Sequence, residues 1–235
     1  MIILAFDSTA KAASCAVLDG ESCLALYTID NGLTQSELLL PMAENMLSSL
    51  KMSFSDVDLF AAATGPGSFT GVRIGVSLIK GLAFGTEKPC AGVSTIEALA
   101  ENAEALEGVI DPCMDARRAQ VYTATFISKN GEMKRLTEDR AIALSDLAEE
   151  LRTYENTPIY LTGDGYEVAK KALSGYGIKT ANTPPLLITE NAYSVGLIAK
   201  KMYERGETVS DREIAPTYLR LPQAERERLE REGKK

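Results

Sequence analysis

The chain has 235 residues, 33 acidic against 25 basic side chains and no histidine, which gives a formal net charge of −8. The negative charge opposes unaided binding to nucleic acid, so we expect any role on RNA to need a partner. The missing histidine excludes Ser-His-Asp triads and histidine-bound metal centres. No apolar run approaches the roughly 20 residues of a membrane-spanning helix, and the first residues lack the basic start of a signal peptide. These features predict a cytoplasmic protein that does not contact membranes.

The cysteines are predicted to be buried, reduced thiols. They stand singly in apolar stretches, without the paired spacing that is typical of zinc sites and redox centres. They are Cys15, Cys23, Cys90 and Cys113.

The first half of the chain alternates short apolar runs with turn signals. Asp19-Gly20 between two such runs is the strongest short-range sign of a β-hairpin. A capping box at Thr34-Gln35-Ser36-Glu37 predicts the start of one helix, and Ser94 with Glu97 predicts the start of another. The strands predicted in this half are 2–7, 12–18, 22–29 and 59–63.

The second half repeats this order. A strand at 109–115 is followed by a strand at 120–127, an Asn130-Gly131 turn and a strand at 132–136. A helix, an apolar strand at 159–162 and a glycine loop come next, as they do in the first half. We therefore interpret the chain as an internal duplication. The helices predicted in this half are 145–152, 165–173 and 191–205.

Two copies of strand, hairpin, helix, strand, glycine loop and helix predict an α/β protein. This arrangement resembles the duplicated fold of actin, sugar kinases and the Hsp70 ATPase domain, the ASKHA fold, in which nucleotide lies between the halves. We predict an N-terminal domain at 1–107 with partner-binding helices, a C-terminal domain at 108–222 and a charged tail at 223–235. The prediction leaves open whether the last helix of the second domain packs back on the first domain.

A glycine loop joins the fourth predicted strand to a helical pattern at 72–84. Glycines let a backbone approach a phosphate and a helix N-terminus presents unpaired N–H groups, so Gly65, Gly67 and Ser68 are candidate cofactor-binding residues. The spacing fits neither the dinucleotide motif nor the P-loop, since no lysine follows Gly71. A tight turn that packs the helix on the sheet explains the same residues, and both interpretations stay open.

The helix after the glycine loop has two apolar rows that together exceed the usual buried stripe of about 100°. We expect one side to pack on the sheet and the other on a partner. The rows are Val72, Val76, Ile79 and Ala83 on one side and Gly75, Leu78, Leu82 and Gly85 on the other. The helix opened by Thr34 contains Pro41, which predicts a kink or a later start, and its methionines suit either a core or an adaptable surface. The predicted partner-binding residues are Leu39, Met42, Met46, Val72, Val76, Ile79 and Ala83.

Several motifs together resemble the TsaB family, formerly called YeaZ. The resemblance spans nearly the whole chain, and its most specific part is GPGSFTGVRIG from Gly65, whereas the second half matches more diffusely. The other motifs are Asp7-Ser8-Thr9, Gln35-Ser36-Glu37, GLAFGTEKPCAGVSTIEALA from Gly81, Asp115-Ala116-Arg117-Arg118 with Tyr122, Gly163-Asp164-Gly165 and Ala215-Pro216-Thr217-Tyr218-Leu219-Arg220.

The resemblance implies a non-catalytic scaffold and activator of TsaD, which transfers the threonylcarbamoyl group to adenosine 37 of tRNA, with TsaE as the ATPase of the system. It implies a heterodimer with TsaD through the two apolar helices, a homodimer in isolation, and contact with tRNA only through the complex. TsaD-like chains carry a His-x-x-x-His metal pair where this chain has Thr95 and Leu99, so we expect no metal site. Whether ATP or ADP binds at the interface of the complex stays open. Gln35 stands where many members have histidine.

Two other functions remain open. One is a stand-alone ATP-dependent kinase or ATPase of the same fold, with Asp7, Asp115 and Asp164 as carboxylates at strand ends. Against it, the first turn lacks the glycine that usually brings backbone close to phosphate in such enzymes, and these aspartates could simply cap turns. The other is a homodimer that uses the two helices on itself.

Overall fold

The computed structural model describes residues 1–220, so the predicted tail at 223–235 lies outside the described residues. This part of the chain is a mixed α/β protein whose strands form a five-stranded, a four-stranded and a three-stranded sheet. Within it, no helix has the length and apolar character that a membrane crossing requires.

Strands and helices alternate along the chain. The strands are β1 (Ile2–Asp7), β2 (Ala13–Asp19), β3 (Ser22–Ile29), β4 (Leu59–Gly65), β5 (Cys90–Ser94), β6 (Gly108–Pro112), β7 (Met114–Asp115), β8 (Gln120–Thr123), β9 (Phe126–Lys129), β10 (Glu132–Arg135), β11 (Arg140–Ala143) and β12 (Ile159–Thr162). The helices are α1 (Gln35–Ser49), α2 (Phe69–Ala83), α3 (Thr95–Asn102), α4 (Leu144–Leu151), α5 (Tyr166–Gly175), α6 (Pro185–Ile188) and α7 (Ala192–Glu204).

The two main sheets have the same topology, as the internal repeat predicted. The first has the order β3-β2-β1-β4-β5, with β1, β4 and β5 parallel and the β1-β2-β3 pairs antiparallel. The second has the order β10-β9-β6-β12, with β6 and β12 parallel and the other pairs antiparallel. The second sheet thus repeats the first four strands of the first sheet. This duplicated arrangement is the ASKHA fold.

Two predicted strands are divided in the structure. The segment 109–115 forms β6, which belongs to the four-stranded sheet, and then β7, which belongs to the three-stranded sheet. The segment 120–127 forms β8, which pairs with β7 and β11, and then β9, which belongs to the four-stranded sheet. The break lies between the hydroxyl groups of Thr123 and Thr125, which donate to the two carboxylate oxygens of buried Asp111 at 2.6 and 2.8 Å. These two bonds hold the chain where it leaves one sheet for the other.

The first sheet is covered on both faces, and its strands alternate accordingly. Leu4 and Phe6 of β1 pack in one cluster with α1 and α2, whereas Ile3 and Ala5 pack on the opposite face with α7. Helix α7 thus follows the second sheet in sequence but packs against the first. Helix α3 lies between the domains, since Ile96 packs with strands of the second sheet.

The helix starts and the cysteines differ in part from the predictions. Helix α1 begins at Gln35, where the Thr34 backbone N–H donates to the Glu37 carboxylate at 3.1 Å, and it continues through Pro41. The later start at Pro41 was therefore wrong and the capping box was right. All four cysteines are free, but Cys23 is exposed because β3 is the edge strand of its sheet.

The glycine loop packs directly on the turn that follows β1. The Ser68 N–H donates to the Thr9 carbonyl at 2.7 Å, and the Ser8 hydroxyl donates to the Gly71 carbonyl at 2.8 Å. A Cβ at Gly67 would lie 2.5 Å from the Thr9 carbonyl oxygen, and one at Gly71 would lie 1.9 Å from that of Ser8. Only glycine permits this approach of two backbones, which fixes the start of α2 against β1.

Two glycines of α2 offer a matched test of this packing. Gly71→Ala is expected to lower the free energy of unfolding by more than about 2 kcal/mol, because its methyl group must displace the Ser8 backbone. Gly81→Ala on the same helix meets no atom within 4 Å and is expected to raise it by about 0.5–1 kcal/mol. Urea denaturation of both variants measures the difference. Equal effects at the two positions would contradict the account.

Candidate functional site

The predicted partner-binding side chains are buried in the core of the first domain. Leu39, Met42 and Met46 lie on the side of α1 that packs on the sheet, and Met42 is the most exposed of the whole set at 5%. The α2 row that contains Val76 packs on the sheet in the same cluster. These residues hold the two helices on the sheet and have almost no accessible surface, which corrects their assignment as contact residues. Of the seven, Leu39 also lines the groove between α1 and α2.

The outer sides of the same two helices form an open groove of about 560 Å³. Its walls are apolar side chains with a few small polar ones between them. Phe69 is 40% exposed and Leu40 37% exposed, although both are large hydrophobic residues. Other lining residues are Ser36, Arg73, Ile74, Ser77 and Leu78. Leu78 belongs to the second apolar row and lines the groove, whereas Gly75 of the same row is buried. The structure therefore places the first row inward and only part of the second row at the surface.

An aromatic pair closes one end of this groove. Tyr218 stacks on Phe69 with 5.0 Å between ring centroids, and the two residues are 44% and 40% exposed. The Arg73 guanidinium also contacts Phe69, at 5.3 Å from the centroid of the ring. Among residues 1–220, no carboxylate forms an ion pair with Arg73. The groove therefore combines an apolar wall with an accessible cation at one end.

The glycine loop is less suited to phosphate than its sequence indicated. The Ser68 N–H is already bonded to Thr9, and Ser68 Oγ accepts the Gly71 N–H at 3.3 Å as the cap of α2. The position where a Cβ of Gly65 would stand is taken by the Thr217 carbonyl, 2.6 Å away. The loop thus uses its glycines and donors for packing, as the tight-turn interpretation predicted.

A second cleft of about 570 Å³ lies where the two domains face each other. It brings together the acidic turns that follow β1, β7 and β12. Asp7 Oδ1 accepts the Thr9 N–H at 2.9 Å, Asp115 Oδ1 accepts the Arg117 N–H at 2.8 Å, and Asp164 Oδ1 accepts the Asp115 N–H at 2.9 Å. Asp7 and Asp115 therefore each cap a local turn, whereas Asp164 accepts a backbone N–H from a turn that lies 49 residues away in sequence.

Glu190 joins this cleft and was not predicted, because it follows Thr189 as a single acid without any motif spacing. It is buried and accepts the Asp164 N–H at 3.0 Å. Burial, reinforced by the nearby Asp7 carboxylate, raises the pKa of Glu190 to about 8. Burial also raises the pKa of Asp7 to about 6, and Asp7 Oδ2 has no hydrogen-bond partner among the described residues. Glu190 is thus the carboxyl group of the cleft whose pKa lies above neutral pH, and the pKa of nearby Asp7 lies below it.

Comparisons with known proteins identify the family. A family model described as TsaD, tRNA N6-adenosine threonylcarbamoyltransferase, matches residues 34–227. The tRNA threonylcarbamoyladenosine biosynthesis protein TsaB of Bacillus subtilis (strain 168) is 31% identical to this chain over 98% of its length and 99% of the relative's. The chain belongs to the TsaB family. Membership assigns it to the biosynthesis of threonylcarbamoyladenosine in tRNA.

Further TsaB-family proteins agree in sequence and in structure. The TsaB of Escherichia coli (strain K12) is 29% identical over 94% of this chain and 95% of its own. The solved structure of YeaZ from Pseudomonas aeruginosa superposes with a TM-score of 0.73 at 25% identity, covering 93% of this chain and 99% of that chain.

At three positions this chain has another residue where the resemblance places histidine. Thr95 and Leu99, which match the TsaD metal pair in the resemblance, are both buried at the start of α3, and within residues 1–220 no three Cys, Asp or Glu residues are grouped to hold a metal ion. Gln35 donates its side-chain amide to the Ala10 carbonyl at 2.8 Å and so ties α1 to the first turn.

The protonated state of Glu190 predicts a stability profile. The unfolded carboxyl loses its proton near pH 4.5 and the folded one near 8, so the contribution is complete below pH 4.5 and is lost as the pH rises to about 8. Glu190→Gln cannot ionise, so above pH 8 it should be more stable than wild type by more than about 1 kcal/mol, and at pH 5 similar.

Urea denaturation across this pH range checks the profile. Glu167→Gln is the matched control, since Glu167 lines the same cleft but is exposed. Parallel profiles for wild type and Glu190→Gln would contradict the assignment.

Proposed function

We propose that this chain is a non-catalytic scaffold and activator of TsaD in the threonylcarbamoylation of adenosine 37 of tRNA, and that TsaD docks in the groove between α1 and α2. The observation that carries the proposal is this groove. Large apolar side chains remain accessible along two helices whose other sides are fully packed. Contiguous exposed apolar surface rimmed by polar groups is typical of protein interfaces.

The cleft between the domains supports a role without catalysis. In the fold's enzymes this cleft receives the phosphates, but here the first turn is covered by the glycine loop, whose Ser68 N–H is engaged by Thr9. The remaining acids cap turns, and Glu190 is neutral at pH 7 because of its raised pKa. A net charge of −8 also disfavours a polyphosphate without a cation.

The other partners follow from the same proposal. TsaE joins through the complex with TsaD, and tRNA reaches this chain only through that complex. The chain holds no cofactor of its own, and any ATP or ADP binds at the boundary with its partners. Without TsaD, two copies of the chain pair through the same groove, since one apolar surface serves either occupant.

Ser77→Arg tests the docking surface without disturbing the core. Ser77 is exposed in the middle of the groove, so an arginine there should obstruct a partner and weaken TsaD binding more than roughly tenfold. Sedimentation velocity with the same organism's TsaD measures the loss.

The matched control for this test is Ser174→Arg, which adds the same side chain at an exposed position of α5 in the second domain. It should leave the complex intact. Wild-type affinity in Ser77→Arg would refute the docking surface.

Val76→Glu is expected to unfold the first domain rather than to act on binding alone. Val76 is 3% exposed, and burying an unpaired carboxylate costs several kcal/mol, a large part of a typical stability of about 5–15 kcal/mol. Near-UV circular dichroism should show lost packing, whereas Ser77→Glu, the same change one position along at an exposed site, should stay folded. A folded Val76→Glu protein would contradict the burial described above.

A further inference from the structure

The segment 214–220, which we call the C-terminal strap, returns from α7 and runs along the first domain. Ile214 is buried in the core beneath α1 and α2. The Thr217 N–H donates to the Thr64 carbonyl at 2.8 Å, at the end of β4. Tyr218 then stacks on Phe69 at the first turn of α2, with ring centroids 5.0 Å apart. The strap therefore brings an aromatic side chain to one end of the groove.

The next residues of the strap attach to the second domain. The Arg220 guanidinium donates to the Ala116 carbonyl at 3.1 Å and to the Gln120 side chain. It also lies 5.4 Å from the centroid of the Tyr122 ring. Arg220 thus engages both ends of the loop 116–120, which begins beside the cleft between the domains.

This loop has an unusual backbone that needs such support. Arg117, Arg118 and Ala119 are in succession left-handed, with φ of 64°, 54° and 55°. Each non-glycine residue in this conformation costs roughly 1–2 kcal/mol, so it persists only where neighbouring contacts fix it. Arg220 supplies two of those contacts, from a motif 100 residues away in sequence from Gln120.

We propose that Tyr218 is a contact residue of the docking surface and that Arg220 positions it by tying the strap to the loop 116–120. The proposal rests on the proposed docking of TsaD in the groove. Tyr218 and Phe69 stack beside the apolar wall, and the two residues keep 44% and 40% of their surface exposed. Aromatic side chains at the end of an apolar groove are typical binding hot spots.

The chemistry of this end of the groove defines what the partner presents. An apolar helix face would fill the wall between Leu40 and Leu78, and an acidic side chain at its end would meet the Arg73 guanidinium beside the aromatic pair. Arg220 does not reach this contact itself. It acts through the orientation of the strap, and its effect on binding should disappear when Tyr218 is absent.

A double-mutant cycle tests this dependence. Tyr218→Ala should weaken TsaD binding roughly tenfold, and Arg220→Ala should weaken it several-fold. In the Tyr218→Ala background, Arg220→Ala should have no further effect, since the residue acts through Tyr218. Arg220→Lys should recover part of the affinity, because lysine can donate one of the hydrogen bonds but cannot form the planar fork. Isothermal titration calorimetry with TsaD gives the affinities.

Two further measurements separate positioning from general destabilisation. Arg212→Ala removes a guanidinium from an exposed position just before the strap and should leave the affinity unchanged. Hydrogen exchange of the isolated chain should show faster exchange at 116–120 in Arg220→Ala and not in Tyr218→Ala.

The outcomes distinguish this inference from the proposed function. If wild type forms no complex with TsaD, the proposed function fails and the inference fails with it. If wild type binds but Tyr218→Ala binds equally well, the inference alone is overturned. Additive losses in the double variant, or unchanged exchange at 116–120 in Arg220→Ala, would overturn the positioning role of Arg220.

Discussion

The close contact between the glycine loop and the first turn decides most of what this chain can do. Gly67 and Gly71 let the loop backbone rest on Thr9 and Ser8 at distances that no side chain would permit. This contact engages the donors of the loop with protein instead of phosphate, and it sets the start and rotation of α2. The row of α2 that contains Val76 then fills the core, and Leu78 of the other row remains accessible in the groove beside α1. The same packing thus engages the Ser68 N–H with protein and leaves a groove between α1 and α2.

The acids of the cleft between the domains also make their contacts within the protein. The cleft retains acids at the ends of parallel strands, but each is used within the protein. Asp164 accepts the Asp115 N–H, its own backbone N–H donates to Glu190, and Glu190 is buried with a raised pKa. Ionised carboxylates in this position would repel one another and would also repel the phosphates of a nucleotide. The raised pKa of Glu190 lessens that repulsion, and hydrogen bonds hold Asp115, Asp164 and Glu190 together.

The sequence was sufficient for the fold and for the helices of the site, but not for the contact residues. Asp19-Gly20 and the capping box at Thr34 encode local geometry, so they were read correctly. The two apolar rows of α2 are also visible in the sequence, but periodicity does not say which row faces the sheet. The prediction that the row with Val76 binds a partner was therefore wrong. Glu190 gave no local signal, and the motif that ends at Arg220 did not reveal the role of that residue, because both roles come from contacts with distant parts of the chain.

The most direct test of the scaffold account is a titration of this chain into a reconstituted tRNA threonylcarbamoylation reaction at fixed TsaD. A scaffold must be present in the complex for each active TsaD, so the account predicts a rate that rises linearly with this chain and saturates near equimolar amounts. The Ser77→Arg variant should reach the same rate only at a much higher concentration. Full activation by a small fraction of an equivalent would indicate that the chain turns over as a catalyst. That result, or a rate independent of the chain, would contradict the account.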